Sequence, residues 1–322
     1  MPLVLAACGG DASPASDGGK TLSLVAYSTP REAYEEIIPK FQKTNAGAGV
    51  EFEQSYASSG EQSRAVESGL KADVVAFSLE PDITRLVAAG LVSKDWNRDL
   101  HRGMVTDSVV VFVVRKGNPA NIRTWDDLVR DGVEVITPSP FTSGGAKWNI
   151  MAAYGGQLEQ GKSKGEAIAY LRELFLEHVP VQDKSAREAL QTFSAGKGDV
   201  MLAYENEAIF AQQSGQPLEY VVPDQTILVE NPAAVLSSSK QKATAQAFLG
   251  YLRTPAAQRI FGEKGYRPVA KDVLAEFDYP KPPRLFTIAD VGGWEDVETR
   301  FFDRDKSVFA DIENELGVSS DG

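Results

Sequence analysis

The chain has 322 residues, 43% of them hydrophobic and 24% charged, with a formal net charge of −12 and a single cysteine. That is length for one large or two ordinary globular domains. The acidic balance argues against nucleic-acid binding and against docking on anionic lipid, and no stretch reaches the ~18–20 apolar residues that span a bilayer.

In chain order, Leu5-Ala6-Ala7-Cys8-Gly9 comes first and resembles a bacterial lipoprotein cleavage box, in which Cys8 becomes the lipidated mature N-terminus. The seven residues before Cys8 carry no basic n-region, which departs from that pattern. Residues 11–20 are rich in Ser, Gly, Ala and Asp and read as a tether, so 1–20 are set aside from the fold. With one cysteine no disulfide forms within the chain.

From Thr21 onward strand and helix patterns alternate. Strands are expected at 22–27, 50–54, 72–77, 109–114, 133–137, 179–182 and 201–204. Helices are expected at 31–42, from Ser58-Ser59-Gly60 to about 70, at 82–89, 124–130 and 186–193, and after 144. In the first helix Tyr34, Ile37, Ile38 and Phe41 recur at helical spacing. The repeated β-α order implies a mainly parallel α/β architecture.

Small polar residues fall at a recurrent place in this order. Ser28, Ser58-Ser59-Gly60, Thr142-Ser143-Gly144-Gly145 and Lys184-Ser185-Ala186 each lie just past a strand and at a helix start. Helix N-termini leave backbone N–H groups without partners, and the partial positive charge there favours an anion. Glycines let an anion approach bare backbone, and Thr142 and Ser143 carry hydroxyl donors. Each turn alone is more often an ordinary N-cap; together they point to one shared site at the carboxyl ends of the strands. In so acidic a protein an anion relies on such local donors, because the global field repels it.

Other motifs imply less. Gly156-Gln157-Leu158-Glu159-Gln160-Gly161-Lys162-Ser163 matches the phosphate-loop pattern, but a helix rather than a strand precedes it, so its glycines read as a helix stop. His101 and His178, the only histidines, stand in no metal-ligand spacing, and neither a nucleophile elbow nor a supported catalytic triad is present. Glu35-Glu36 and Asp126-Asp127 read as solvated helix faces. No metal, cofactor or enzymatic chemistry is indicated.

Four blocks resemble the prokaryotic sulfate-binding proteins of ABC importers: Tyr27-Ser28-Thr29-Pro30-Arg31-Glu32, Gln54-Ser55-Tyr56-Ala57-Ser58-Ser59-Gly60, the segment from Ser139 through Thr142-Ser143-Gly144-Gly145 to Asn149, and the segment from Gly198 through Tyr204-Glu205-Asn206 to Ala208. Val114-Arg115-Lys116-Gly117-Asn118-Pro119 and Tyr266-Arg267-Pro268 add to the resemblance, which runs in order from about Thr21 to Phe309. It implies a two-lobed periplasmic-binding-protein-like fold of type II, each lobe a mainly parallel sheet flanked by helices, with the ligand in the cleft. The lobes are expected at 21–105 plus about 221–322 and at 106–220, with chain crossings near 101–109 and 207–224.

The resemblance further implies an extracytoplasmic monomer, lipid-anchored to the membrane, that passes sulfate to an ABC permease by cleft closure. Carried over residue by residue, Ser59 gives hydroxyl and backbone contacts, Ser143, Gly144 and Gly145 give backbone donors with the Ser143 hydroxyl, and Ala186 gives its N–H. Ser28 stands where enterobacterial sulfate binders have Asp, and Tyr204 where they have Trp; a phenol donates as the indole does but also accepts. Lys184 stands where a small polar residue is usual, and Arg31 and Arg187 are the nearby cations. A cage of donors suits a fully ionised dianion and disfavours one that carries a proton. The rival readings are thiosulfate, molybdate or tungstate in the same cleft, an enzyme acting on a sulfated or phosphorylated substrate, and a scaffold lipoprotein with a degenerate cleft.

Overall fold

The computed structural model describes residues 20–317; Cys8 and the lipidation reading lie outside the described residues. The first strand–helix pairs are β1 (Lys20–Tyr27), α1 (Arg31–Phe41), β2 (Val50–Ala57), α2 (Ser59–Glu67), β3 (Val74–Ala76) and α3 (Glu80–Ala88). The long β4 (Met104–Arg115) follows, then β5 (Val135–Pro138), α4 (Gly144–Glu159), α5 (Lys164–Glu173), β6 (Val181–Asp183), α6 (Ala186–Ser194), β7 (Val200–Tyr204), α7 (Glu205–Gln213) and β8 (Leu218–Val221). The chain continues with β9 (Gln225–Val235), α8 (Lys242–Leu252), α9 (Pro255–Glu263), β10 (Arg267–Pro268), α10 (Lys271–Leu274), β11 (Arg284–Phe286), α11 (Gly293–Val297) and α12 (Val308–Leu316).

In the first lobe β2, β1 and β3 run parallel, and residues 233–235 of β9 close the sheet antiparallel to β3. The apolar stripe of α1, Tyr34, Ile37, Ile38 and Phe41, is buried as its helical spacing requires. It packs with Leu22, Leu24 and Ala26 on one face of the sheet, while Val25, Val75, Ile83 and Leu86 fill the other. In the second lobe β6, β5 and β7 run parallel, and β7 pairs antiparallel with residues 110–114 of β4. Val110, Phe112 and Val114 join Trp125, Trp148 and Tyr154 in one core, and Val109, Val111 and Val113 join Phe193 and Met201 in another. Burial on both faces is why β4 reads as an unbroken apolar run.

Two long antiparallel strands pass between the lobes. Residues 104–109 of β4 pair with residues 228–232 of β9, so β4 leaves the first lobe as β9 re-enters it. The first crossing runs through residues 104–109 of β4. The second, expected near 207–224, is made by β9 instead: α7 and β8 stay in the second lobe, β8 on the edge of β4.

The expected assignment of everything after about 221 to the first lobe also needs correcting. Phe248, Leu252, Ile260 and Phe261 of α8 and α9 do pack in the first-lobe core. From β11 onward, Phe286, Trp294, Phe301, Phe309 and Ile312 join the second-lobe cluster instead. Specific aromatic contacts hold them there: Trp294 stands edge-on to Trp148 at 4.7 Å between centroids, Phe301 to Tyr154 at 4.8 Å, and Phe309 to Phe175 at 4.7 Å. Lys147 adds an ion pair to Glu298 at 2.7 Å.

Candidate anion-binding site

The carboxyl ends of β1, β2, β3, β5, β6 and β7 all face the space between the lobes. There Ser28, Ser59, Ser143, Gly144, Gly145, Ala186 and Tyr204 line one cavity, and Tyr27, Thr29, Ser58 and Ser78 complete its wall. The free space at its centre is small, about enough for one water-sized group. Apart from Ser28 and Ala186, which are half-buried, the expected residues are buried.

The turns differ in how they use their N-cap residues. Ser185 is an ordinary N-cap, its hydroxyl accepting from the N–H of Glu188 at 3.2 Å. Ser143 and Ser58 occupy N-cap positions, yet neither side chain caps its helix; Ser58 donates to the Glu61 carboxylate instead. Among the described residues, no protein acceptor lies on the N–H groups of Ser28, Ser59, Gly144, Gly145 or Ala186. Five unpaired backbone donors therefore surround one small space, four of them at the starts of the three helices α2, α4 and α6, whose dipoles point their positive ends at it.

The hydroxyls are less free than the sequence suggested. Ser59 Oγ donates to Asp82 Oδ2 at 2.6 Å and accepts from the N–H of Ser78 at 2.9 Å, so its hydrogen goes to a carboxylate and not to the cavity. Thr142 Oγ1 donates to the Lys184 carbonyl at 2.8 Å; it ties the α4 turn to the α6 turn and is no cavity donor. Lys184 gives only that carbonyl, its side chain being exposed. Tyr204 Oη and Ser78 Oγ lie 3.1 Å apart, and burial pushes the Tyr204 phenol well above its ordinary pKa, so it keeps its proton.

Ser78 was missed from the sequence although it carries the same signal as the four turns. It is a small polar residue between β3 and α3, in Phe77-Ser78-Leu79-Glu80-Pro81. Gly156 was misread. It lies inside α4 and not at its end, where a Cβ would meet Trp125 Nε1 at 2.4 Å. Gly161, at φ +87°, follows the helix. Gly156 makes room for an indole. His178 is buried with Nδ1 3.0 Å from the Val133 carbonyl, and no group of three or more His, Cys, Asp or Glu able to hold a metal occurs among the described residues.

The lobes are in contact across the cavity. The Gly60 N–H donates to the Thr142 carbonyl at 3.1 Å, and Trp148 Nε1 donates to the Ser78 carbonyl at 2.8 Å. Arg187, next to Ala186, reaches over to Glu32 at 2.8 and 3.1 Å and to the Thr29 carbonyl at 3.2 Å. In its own lobe it pairs with Glu207 at 3.1 Å and lies 4.0 Å over the Phe210 ring. Burial raises the Glu207 carboxyl to about 7 even with Arg187 beside it. Arg31 stays at the surface over Tyr56. Burial, with Arg304 and Arg85 nearby, lowers the Arg64 guanidinium, so a cluster of cations stands beside the α2 turn.

Residues 22–267 match the family of bacterial extracellular solute-binding proteins. The chain belongs to that family. Among solved structures, this solute-binding protein is similar to the sulfate-binding protein SubI of Mycobacterium tuberculosis, at 46% identity and a TM-score of 0.86 over 88% of this chain and all of that one. Among curated proteins it is 40% identical to a sulfate-binding protein of Synechococcus elongatus, covering 93% of this chain and 89% of the relative. It is 35% identical to a thiosulfate-binding protein of Pseudomonas aeruginosa, over 90% and 91% respectively. The two-lobed type II fold expected from the sequence is the fold of these proteins.

Proposed function

We propose that this solute-binding protein captures sulfate between its lobes and delivers it to an ABC importer. The observation that carries the reading is the small cavity between the lobes, ringed by the unpaired N–H groups of Ser28, Ser59, Gly144, Gly145 and Ala186. A fully ionised tetrahedral dianion accepts at every oxygen and so satisfies such a ring without an ion pair. Arg187, the cation nearest the Ala186 turn, is already engaged by Glu32 and Glu207. Buried donors left unpaired cost about 1–3 kcal/mol each, so the anion that matches most of them gains the largest affinity. The names of the relatives favour sulfate, and the higher identities belong to the sulfate-binding ones.

In this reading the β4 and β9 crossings act as the hinge. Ser59 and Ser28 form one jaw, and Ser143, Gly144, Gly145, Ala186 and Tyr204 form the other. The protein performs no chemistry on its ligand and acts as a monomer outside the cytoplasm, where a diacylglyceryl thioether on Cys8 would hold it to the membrane. Calorimetric titration with sulfate, thiosulfate, molybdate and tungstate tests the ligand. Sulfate should bind in the micromolar range or tighter; failure of sulfate while another of the four binds would reassign the site, and turnover of sulfate or phosphate esters would contradict a pure binding role.

A further inference from the structure

A site of donors only would reject any oxyanion that carries a proton, since a ligand O–H would face an N–H. The wall of this cavity is not of donors only. Ser78 Oγ and Tyr204 Oη lie 3.1 Å apart, and either atom can be the donor. Both residues line the cavity, one from each lobe. The position of Ser78 is fixed through its backbone: its N–H donates to Ser59 Oγ at 2.9 Å, and its carbonyl accepts from Trp148 Nε1 at 2.8 Å and Asn231 Nδ2 at 2.9 Å. Tyr204 is held by β7 and α7, and Gly145 lies close by, since a Cβ there would stand 3.9 Å from Tyr204 Cζ.

We infer that the Ser78–Tyr204 hydroxyl pair lets the cavity hold a tetrahedral oxyanion carrying one proton, such as hydrogen phosphate, as well as sulfate. The inference rests on the anion-capture reading above. With sulfate bound, Tyr204 donates to an anion oxygen and Ser78 donates to Tyr204 Oη. With a protonated anion the pair reverses: the ligand O–H donates to Tyr204 Oη, and Tyr204 donates to Ser78 Oγ. Burial keeps the phenol protonated, so each hydroxyl has one hydrogen to turn; in the reversed arrangement the Ser78 hydrogen turns to an anion oxygen, since Ser78 also lines the cavity. Ser59 adds no competing donor, because its hydrogen is held by Asp82, itself paired with Arg85 at 2.9 Å.

The test is a calorimetric titration of the full chain with sulfate, selenate and inorganic phosphate at mildly alkaline pH, where phosphate is the singly protonated dianion, followed by competition of phosphate against sulfate. The wild type should bind all three at one site. Tyr204→Trp keeps a donor and removes the acceptor, and Ser78→Ala removes the partner that receives the Tyr204 hydrogen. Each should raise the ratio of phosphate to sulfate Kd by roughly tenfold to hundredfold, the cost of one mismatched buried group, while selenate follows sulfate. Sulfate binding without phosphate binding in the wild type overturns the inference and leaves the sulfate reading standing. Binding of none of the three overturns both. Phosphate binding with an unchanged ratio in both folded variants shows that the acceptor is another group and overturns the role of this pair.

Discussion

The two jaws of the cleft are built differently. In the first lobe the small polar residues satisfy one another: Ser58 donates to Glu61, Ser59 to Asp82, and the Ser78 N–H to Ser59. In the second lobe Gly144 and Gly145 open α4 without a side-chain cap, Ser185 caps α6, and Thr142 Oγ1 ties the two turns together through the Lys184 carbonyl. The first jaw is a wall held rigid by its own hydrogen bonds; the second is a pair of helix ends aimed at the ligand. The division also separates two adjacent glycines. A Cβ on Gly144 would meet Leu79 Cδ2 at 2.0 Å and Ser78 Oγ at 2.3 Å across the cleft, whereas one on Gly145 meets nothing nearer than Ser143 Oγ at 3.3 Å. Gly144 lets the jaws meet, and Gly145 leaves room for what they hold.

The largest expected effect breaks the comparison at Gly144. Gly144→Leu should keep the lobes apart and weaken sulfate binding by about two orders of magnitude or more, a loss of ~3 kcal/mol or more. Its scattering profile should stay open at saturating sulfate, with thermal unfolding of the ligand-free protein nearly unchanged. Gly145→Ala should lose about tenfold to hundredfold in affinity, because the methyl occupies space at the donor N–H. Its closed form is still sterically allowed, so the scattering profile should close at high sulfate. If both variants behave alike, the two glycines have one role and the contrast fails.

Much of this arrangement was legible because a strand, a small polar residue and a helix start form a local pattern. Ser28, Ser59, Ser143 to Gly145 and Ala186 all announce themselves that way, and the structure brings them to one cavity. Ser78 obeyed the same rule and was overlooked, since β3 is only three residues long and Leu79-Glu80-Pro81 reads first as an acidic helix start. The direction of the Ser59 hydroxyl was not legible, because Asp82 lies 23 residues away and only the packing of α2 on α3 sets the pair. Nor was the fate of residues 284–316, whose short helices carry aromatics with no periodicity long enough to assign; their place depends on surfaces offered by Trp148, Tyr154 and Phe175. The double crossing followed the same logic: β9 contains Asn231-Pro232, which reads as a break, yet the strand continues through it along β4.

A smaller effect concerns the charge bridge between the jaws. Arg187→Ala should weaken sulfate binding by roughly threefold to fivefold, the value of a partly exposed ion pair with Glu32. It also strips Glu207 of its buried partner. The Glu207 carboxyl already titrates near 7, against an ordinary 4.5, because it is buried, and burial with Glu230 nearby raises Asp107 to about 7 as well. Groups raised in this way hold protons in the folded state that the unfolded chain has released. Their stabilising contribution is therefore complete below the unfolded pKa and lost as pH rises through the folded one. The melting temperature should fall between about pH 5 and about pH 7.5, and Glu207→Gln should flatten that slope. In Arg187→Ala the lost cation pushes the carboxyl higher still, so the fall should extend to higher pH. A wild-type melting temperature that rises across this window would show that these carboxyls are not raised.

The smallest expected effect is at Lys184, where chemical intuition places a cation beside an anion site. Its side chain is exposed and its contribution to the jaws is a carbonyl that accepts from Thr142, so Lys184→Ala leaves the relevant atom in place. The affinity for sulfate should change by less than about twofold, within the ±0.5 kcal/mol usual for surface changes. Thr142→Val removes the hydroxyl donor from the same bond and leaves the Lys184 carbonyl without it; a loss of about fivefold is expected, from ~1 kcal/mol for one buried hydrogen bond. The pair distinguishes capture by charge from capture by geometry. Were Lys184→Ala the more damaging of the two, the anion would be held by a nearby cation, and the second jaw would owe less to its helix ends than the unpaired N–H groups imply.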